Sequence, residues 1–363
     1  MPPRLNDIMA TSWFEKKFGF EESPEGAREN IEFDDESRIL RTKKGSSFHV
    51  GEFTTSSLLE LKEILSGLAY EGDGLTFENI IGDVGALLDA AENGGAVFQA
   101  ASQFNCLEMI NPAITPEAGI TNYVMDRTQG PTVACRAPAG TLFRNYLVSE
   151  RHGLKRSRGR GQTSKTQIDT AYDLHTLLKS VNGGNDVWEQ KNGYMTPLTE
   201  TSITEIGAVL RQQGEDFLST CRDSLRVGVH WDTETNAGHC VAQVYCSACP
   251  VAYDRTTSAV LSKDPVTNKV PSKRELWAPL AKLVLESTYE STLLVAGILA
   301  LRQGERRTLY LTKVGGGAFG NADSWIAEAI QKAIDKYRHL PVDVKVVHYG
   351  STPGPTDRYS SVS

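Results

Sequence analysis

The sequence predicts an α/β protein, a mixed sheet with helices on both faces. Three observations predict it. Apolar strand-like runs alternate with helix-like runs along most of the chain, several strand-like runs are apolar throughout as strands covered on both sides must be, and a glycine-rich turn stands where a late strand hands over to a helix.

The elements follow in order. Residues 1–50 alternate short apolar and polar stretches, with "SRILRTKKGSSFHVGEF" reading as a hairpin around Lys44 and Gly45, an extension packed on the main fold. "SSLLELKEILSGLA" places Leu58, Leu59, Leu61, Ile64 and Leu65 at helical spacing behind a Ser/Thr cap. "LTFENIIGDVGALLDAAENGGAVFQAAS" gives a strand or short connector, a helix around Val84 to Ala91, a Gly-Gly stop and an apolar strand from Ala96 to Ala101. Pro131 suits the first turn of a helix, and Pro138 is expected to kink that helix. Later come a helix within Thr201 to Cys221, strands "LRVGVHW" and "HCVAQVYCSA", a long helix between Lys273 and Arg302, the strand "TLYLT", the glycine turn, the helix "DSWIAEAIQKAIDKYR" and a closing strand "VDVKVVHY". The boundaries are therefore an N-terminal extension over 1–50, one ligand-binding domain over 51–350 and a flexible tail over 351–363.

Composition excludes several classes. With 363 residues and a formal net charge of −7, the chain as a whole offers no electrostatic case for nucleic acid or an anionic membrane surface. No apolar run reads as a membrane span and the N-terminus has charges where a signal peptide needs apolar residues, so neither a membrane nor a nucleic-acid partner is predicted and the expected location is cytoplasmic. Six cysteines fit reduced, packed thiols, the pair in "CSAC" included. No zinc, calcium or nucleophile-elbow motif is present, and no metal or cofactor is predicted. The basic run "RHGLKRSRGRGQTSKT" reads as a solvated insertion, because no aromatics interleave its cations.

"LTKVGGGAFGN" carries the functional signal. Without a Cβ, successive glycines let main-chain amides approach an anion, and the helix that follows adds its own unpaired amides, so a diphosphate is the natural guest. The stretch lacks the GK[ST] ending of a nucleotide-hydrolysing P-loop and the spacing of a dinucleotide fingerprint. A tight turn alone is the plainer reading. A second stretch, "VFQAASQFNCLEMINPAITPEAGITNYVMDRTQGPTVACRAP", sends many polar groups out of one strand end: Gln103, Asn105, Glu108, Glu117, Asp126, Thr128 and Gln129.

Together the two stretches resemble the macrodomain family, on "FQAASQFN", "TQGP", "RNY" and "GGGAFGN", over most of the chain from "WFEKKFGF" to the last strand. The likeness is closest to an enlarged, glycohydrolase-like branch that includes the Legionella effector MavL and eukaryotic relatives. The resemblance implies a macrodomain-like mixed sheet enlarged by the extension and insertions, and ADP-ribose held between the two loops. Gln103, Asn105, Thr128 and Gln129 would contact it from the early loop, with Asn105 on the distal ribose. Gly315, Gly316, Gly317, Ala318, Phe319, Gly320 and Asn321 would cradle it from the late one, with Phe319 beside that ribose. It also implies an ADP-ribosyl-protein hydrolase, with an ADP-ribosylated protein as partner and ubiquitin as the named candidate. The chain has no strict "NAAN" and no adjacent-glutamate pair of the poly(ADP-ribose) glycohydrolase type, so cleavage of poly(ADP-ribose) chains is not implied.

Cutting the bond at the distal ribose passes through an oxocarbenium-like centre and asks for a carboxylate near it. Asp126 in "DRTQG" is the first candidate, with a helix cap or Asx turn as its structural alternative; Glu117 and Glu108 follow, as a first-turn helix acid and a surface acid otherwise. Asp232 reads as a turn residue and His230 as a core histidine. A non-catalytic ADP-ribose reader would keep the glycine loop and need none of the acids. An enzyme using another nucleotide or sugar phosphate is the third reading.

Overall fold

A computed structural model describes residues 13–69, 73–154, 160–199, 201–254 and 271–350. Its centre is a seven-stranded sheet in the order β4-β9-β10-β6-β11-β12-β5. Five neighbouring strands are parallel: β10 (Cys240–Cys246), β6 (Val97–Ala101), β11 (Arg307–Leu311), β12 (Val342–His348) and β5 (Thr76–Ile81). β9 (Arg226–Glu234) runs antiparallel to β10 on one side and to β4 (Phe53–Ser57) on the other. The parallel set places five carboxyl ends on one edge, which is where an α/β sheet offers a crevice.

Side-chain alternation explains why both faces are covered. Val97 packs with Val244, Leu309, Val344 and the helices α3 (Leu58–Ser66), α10 (Lys273–Gln303) and α11 (Asp323–Lys336). Phe98, Ala100 and Tyr310 face the other way, toward α4 (Val84–Asp89), α5 (Gln129–Arg136) and α6 (Pro138–Tyr146). The second core also takes in Phe14 and Phe18 of α1 (13–18), Ala27 of α2 (Pro24–Asn30), and Ile31 and Leu40 of the small antiparallel sheet β1 (Ile31–Asp34), β2 (Ile39–Thr42) and β3 (Ser47–His49). A third core joins α7 (Tyr172–Val181), α8 (Ser202–Gln212), α9 (Glu215–Ser224) and the hairpin β7 (Trp188–Lys191) with β8 (Tyr194–Pro197) to the first turns of α10.

Most elements stand where the sequence places them, and the differences have local causes. Ala137 leaves the helical region (φ −122°, ψ 69°), so Pro138 begins a new helix instead of kinking one. The expected helix over 201–221 is two helices, interrupted where Gln213 and Gly214 adopt extended backbone. α10, at 31 residues, is long and apolar enough by composition to cross a membrane, but 94% of its most apolar window is buried inside the fold. It is the core helix of the sheet's first face. Lys155, Arg156 and Arg158 of the basic insertion and the 351–363 tail lie outside the described residues. Arg151 and Arg160 at the ends of that insertion both pair with Asp35 of the extension.

Burial separates two leucines of similar sequence context. Leu294 of α10 is fully buried and Leu59 of α3 is 48% exposed. Leu294→Ala is expected to cost about 2–5 kcal/mol in urea denaturation, and Leu59→Ala no more than about 0.5 kcal/mol.

Candidate active site

The turn after β11 is built from glycines that the backbone requires. Gly315 and Gly320 have φ of +77° and +73°, a region L side chains rarely adopt. A Cβ on Gly315 would also lie 2.4 Å from the Ala248 Cβ. Gly317 is different: its φ is ordinary and a Cβ there would meet nothing within 4 Å. The fold does not need that glycine.

Hydrogen bonding in this turn is one-sided. The carbonyls of Lys313, Gly315, Gly317 and Phe319 accept from the amides of Gly316, Asn321, Gly320 and Ala252, and the Gly320 carbonyl accepts from Arg274 Nε at 3.0 Å. The Tyr289 phenol of α10 fixes the entry, donating to the Thr312 carbonyl at 2.7 Å and accepting from the Val314 amide at 3.0 Å. Among the described residues, the amides of Gly315, Gly317, Ala318 and Phe319 donate to no protein group. Those same four residues line a cleft of about 200 Å³, whereas Gly316 and Gly320, whose amides are used, do not.

The opposite wall comes from the loop after β6 and the start of α5: Ala101, Ser102, Gln103, Glu108, Asp126, Thr128 and Gln129. A second lobe of about 580 Å³ shares Asp126, Thr128, Gln129, Thr312 and Lys313 with the first and extends to Asp83 beyond β5 and to His348 at the end of β12. The volumes are those of a small-molecule site. Two lobes that meet at Asp126 and Lys313, with a row of free amides along the first, suit an elongated ligand that carries an anionic group.

The predicted residues divide sharply. Asn105 does not contact the cleft; it is fully buried, its Oδ1 accepting from the Leu107 amide and its Nδ2 donating to Gln167 Oε1 at 2.9 Å. Gln103 lines the cleft but spends both ends of its amide on the Met109 main chain. Gln129 does the same with β6, donating to the Gln99 carbonyl at 2.7 Å and accepting from the Ala101 amide at 2.8 Å. Asn321 latches the glycine turn, its Nδ2 donating to the carbonyls of Cys249 and Gly315. These amides shape the site's walls. Glu117 lies outside the cleft: its Oε1 accepts from the amide and hydroxyl of Ser164. Burial raises its carboxyl, and those hydrogen bonds outweigh that and hold it below the usual range.

Two acids remain at the cleft. Asp126 is half-buried, borders both lobes, and accepts from the Thr128 amide at 2.8 Å through Oδ1, the Asx turn that is the structural alternative to a catalytic role. Glu108 is 2% exposed, with Oε2 3.4 Å from Arg144 Nη2 and Oε1 unpartnered. Arg144 is fully buried, donates to the Cys106 carbonyl and lies 3.5 Å over the Tyr245 ring. Burial pushes the Glu108 carboxyl up to about 8, and the long contact to Arg144 offsets that only in part. Such a group exchanges its proton near neutrality.

Phe319 closes the cleft with two aromatics that the sequence pattern does not single out, Tyr194 at 5.5 Å and Tyr253 at 5.7 Å between ring centres. Lys313 is a further cleft residue missing from the expected set, although a cation just before a glycine run is a readable signal. His230 is buried among Phe53, Phe143 and Tyr245, as expected, with Nε2 3.2 Å from the Gly140 carbonyl oxygen. Asp232 bonds His49 and the Glu52 amide, away from the cleft.

No family model matches the chain, and no curated protein matches it. Among solved structures it is similar to poly(ADP-ribose) glycohydrolase from Deinococcus radiodurans in complex with ADP-ribose, at 10% identity over 85% of this chain and 91% of that one, with a TM-score of 0.42. It is also similar to the poly(ADP-ribose) glycohydrolase from Thermomonospora curvata, at 13% identity over 98% and 97% of the two chains, with a TM-score of 0.39. Likenesses this distant assign no chemistry, so the cleft is read from its own residues.

The raised Glu108 carboxyl has a consequence for stability. A group whose folded pKa lies above its unfolded value stabilises the fold below the unfolded pKa and loses that contribution as pH rises through the folded one. The stability of the wild type relative to Glu108→Gln is therefore expected to fall by a few kcal/mol between about pH 5 and about pH 9 in denaturant titrations. A difference that stays flat with pH would show that Glu108 is not held protonated.

Proposed function

We propose that the protein binds ADP-ribose across the two-lobed cleft and hydrolyses the bond between the distal ribose and a protein side chain. The observation that carries this reading is that the four unpaired amides of the turn, Gly315, Gly317, Ala318 and Phe319, all belong to residues that line the cleft. Unpaired donors on a turn anchored at five of its carbonyls favour an anion with little reorganisation, which is what a diphosphate needs. The resemblance to the enlarged glycohydrolase-like macrodomains supplies the identity of that anion and the protein-linked substrate, ubiquitin being the candidate it names.

The chemistry then needs a proton and a water. Glu108, protonated at neutral pH, donates to the departing side-chain atom as the glycosidic bond breaks. Asp126, at the wall common to both lobes, orients the water whose hydroxyl joins C1 of the distal ribose, and its proton restores the acid. A non-catalytic reader is the second reading. The Glu108–Arg144 pair favours it, since that acid already has a structural partner.

Calorimetric titration with ADP-ribose and a gel assay on mono-ADP-ribosylated protein separate these. Wild type, Asp126→Asn and Glu108→Gln are expected to bind ADP-ribose alike, with turnover lowered about 100-fold or more in each variant. Gly317→Val, whose side chain would enter open space, is expected to keep the wild-type melting temperature and weaken ADP-ribose binding about tenfold or more. Binding without turnover in the wild type would leave the reader. No binding would remove the nucleotide reading.

A further inference from the structure

A groove of about 670 Å³ runs on from the cleft, sharing Tyr194 and Tyr253 with it. The loop at Asn111 and Pro112 forms one wall, tied to the β7–β8 hairpin by Asn192 Nδ2 donating to the Pro112 carbonyl at 2.7 Å. β8 and its exit through Leu198 form the other. Large apolar side chains are left exposed around this groove: Leu198 is 51% exposed and Tyr253 40%, and Ile110, beside Asn111 at the junction with the cleft, is 60% exposed.

Charge narrows what the groove can take. Its charged lining among the described residues is Lys191 and Asp254, and the Asp254 carboxylate accepts from the Trp277 indole at 2.8 Å. A strand of nucleic acid or a second ADP-ribose unit would bring phosphates to a lining with one cation, Lys191, among the described residues. A polypeptide segment brings none, and exposed aliphatic and tyrosine side chains are what such segments dock against.

We propose that this groove receives the polypeptide flanking the ADP-ribosylated side chain, and that it selects acceptors with apolar residues next to the modification. The inference rests on the proposed ADP-ribose site: with the diphosphate on the glycine turn and the distal ribose beside Phe319, the ring contacts of Phe319 with Tyr194 and Tyr253 place the mouth of the groove where the attached chain must leave. Leu198 then acts on the acceptor and not on the nucleotide.

Displacement of fluorescein-labelled ADP-ribose by mono-ADP-ribosylated peptides tests this without requiring turnover. One peptide carries leucine and isoleucine beside the modified residue, the other serine and glycine. The wild type is expected to bind the apolar-flanked peptide about tenfold more tightly. Leu198→Glu, at an exposed position outside the cleft, is expected to abolish that preference and leave free ADP-ribose binding and the melting temperature unchanged. Equal binding of the two peptides to the wild type, or a preference that survives Leu198→Glu, would overturn the groove's assignment while the nucleotide site stood. Failure of free ADP-ribose to bind the wild type would remove the nucleotide reading and this inference with it.

Discussion

Among the described residues, four main-chain amides of one turn have no protein partner, and all four belong to residues that line the cleft. The carbonyls of Lys313, Gly315, Gly317, Phe319 and Gly320 are held by Asn321, Ala252, Arg274 and the turn's own amides, which anchors the turn on both sides of the free donors. An unsatisfied buried donor costs about 1–3 kcal/mol, so such a row is tolerable only where solvent or a ligand reaches it. The pins come from α10 and from the loop after β10, so the site depends on the burial of a helix whose apolar stretch lies almost wholly inside the protein. Core packing and anion binding are thus one constraint.

The same economy of polar groups governs the opposite wall. Glu108 and Arg144 are both removed from solvent, and Arg144 is kept charged by the Tyr245 face, the Cys106 carbonyl and Thr141 together with the carboxyl. A second buried charge would be stabilised by only one long contact. A carboxyl raised by burial and a half-buried acid in the lining of the same cleft are two environments of the kind the proposed reaction asks of its proton donor and its water-orienting group.

Much of this was legible in the sequence because it lies in patterns that physics makes strict. Strand-to-helix alternation, the Ser57 cap of α3 and the glycines at 315 and 320 each follow from periodicity, capping or a positive φ. The roles of amide side chains were not legible. Gln103, Asn105, Gln129 and Asn321 all read as ligand contacts, and all bond the protein itself, Asn105 wholly out of reach of the cleft. Irregular loops at strand ends must satisfy their own peptide groups, and a primary amide is the side chain that matches a peptide group. Glu117 lies outside the cleft for a related reason, since its carboxylate ties down the segment at Ser164. The β7–β8 hairpin is absent from the expected elements although its Asn192–Gly193 turn, with φ of +46° and +79°, is a strong hairpin signal. That omission hid Tyr194, and Asp83 and Tyr253 needed the tertiary fold to be seen beside it.

The central claim is that the free amides of the glycine turn hold the ligand's anionic middle. Backbone amide chemical shifts, followed by nuclear magnetic resonance during addition of ADP-ribose, test it at the atoms concerned. The account predicts that the Gly315, Gly317, Ala318 and Phe319 resonances move most and that those of Gly316 and Gly320, already bonded within the turn, move less. ADP-ribose binding that leaves the first four in place and perturbs another face of the protein would contradict it.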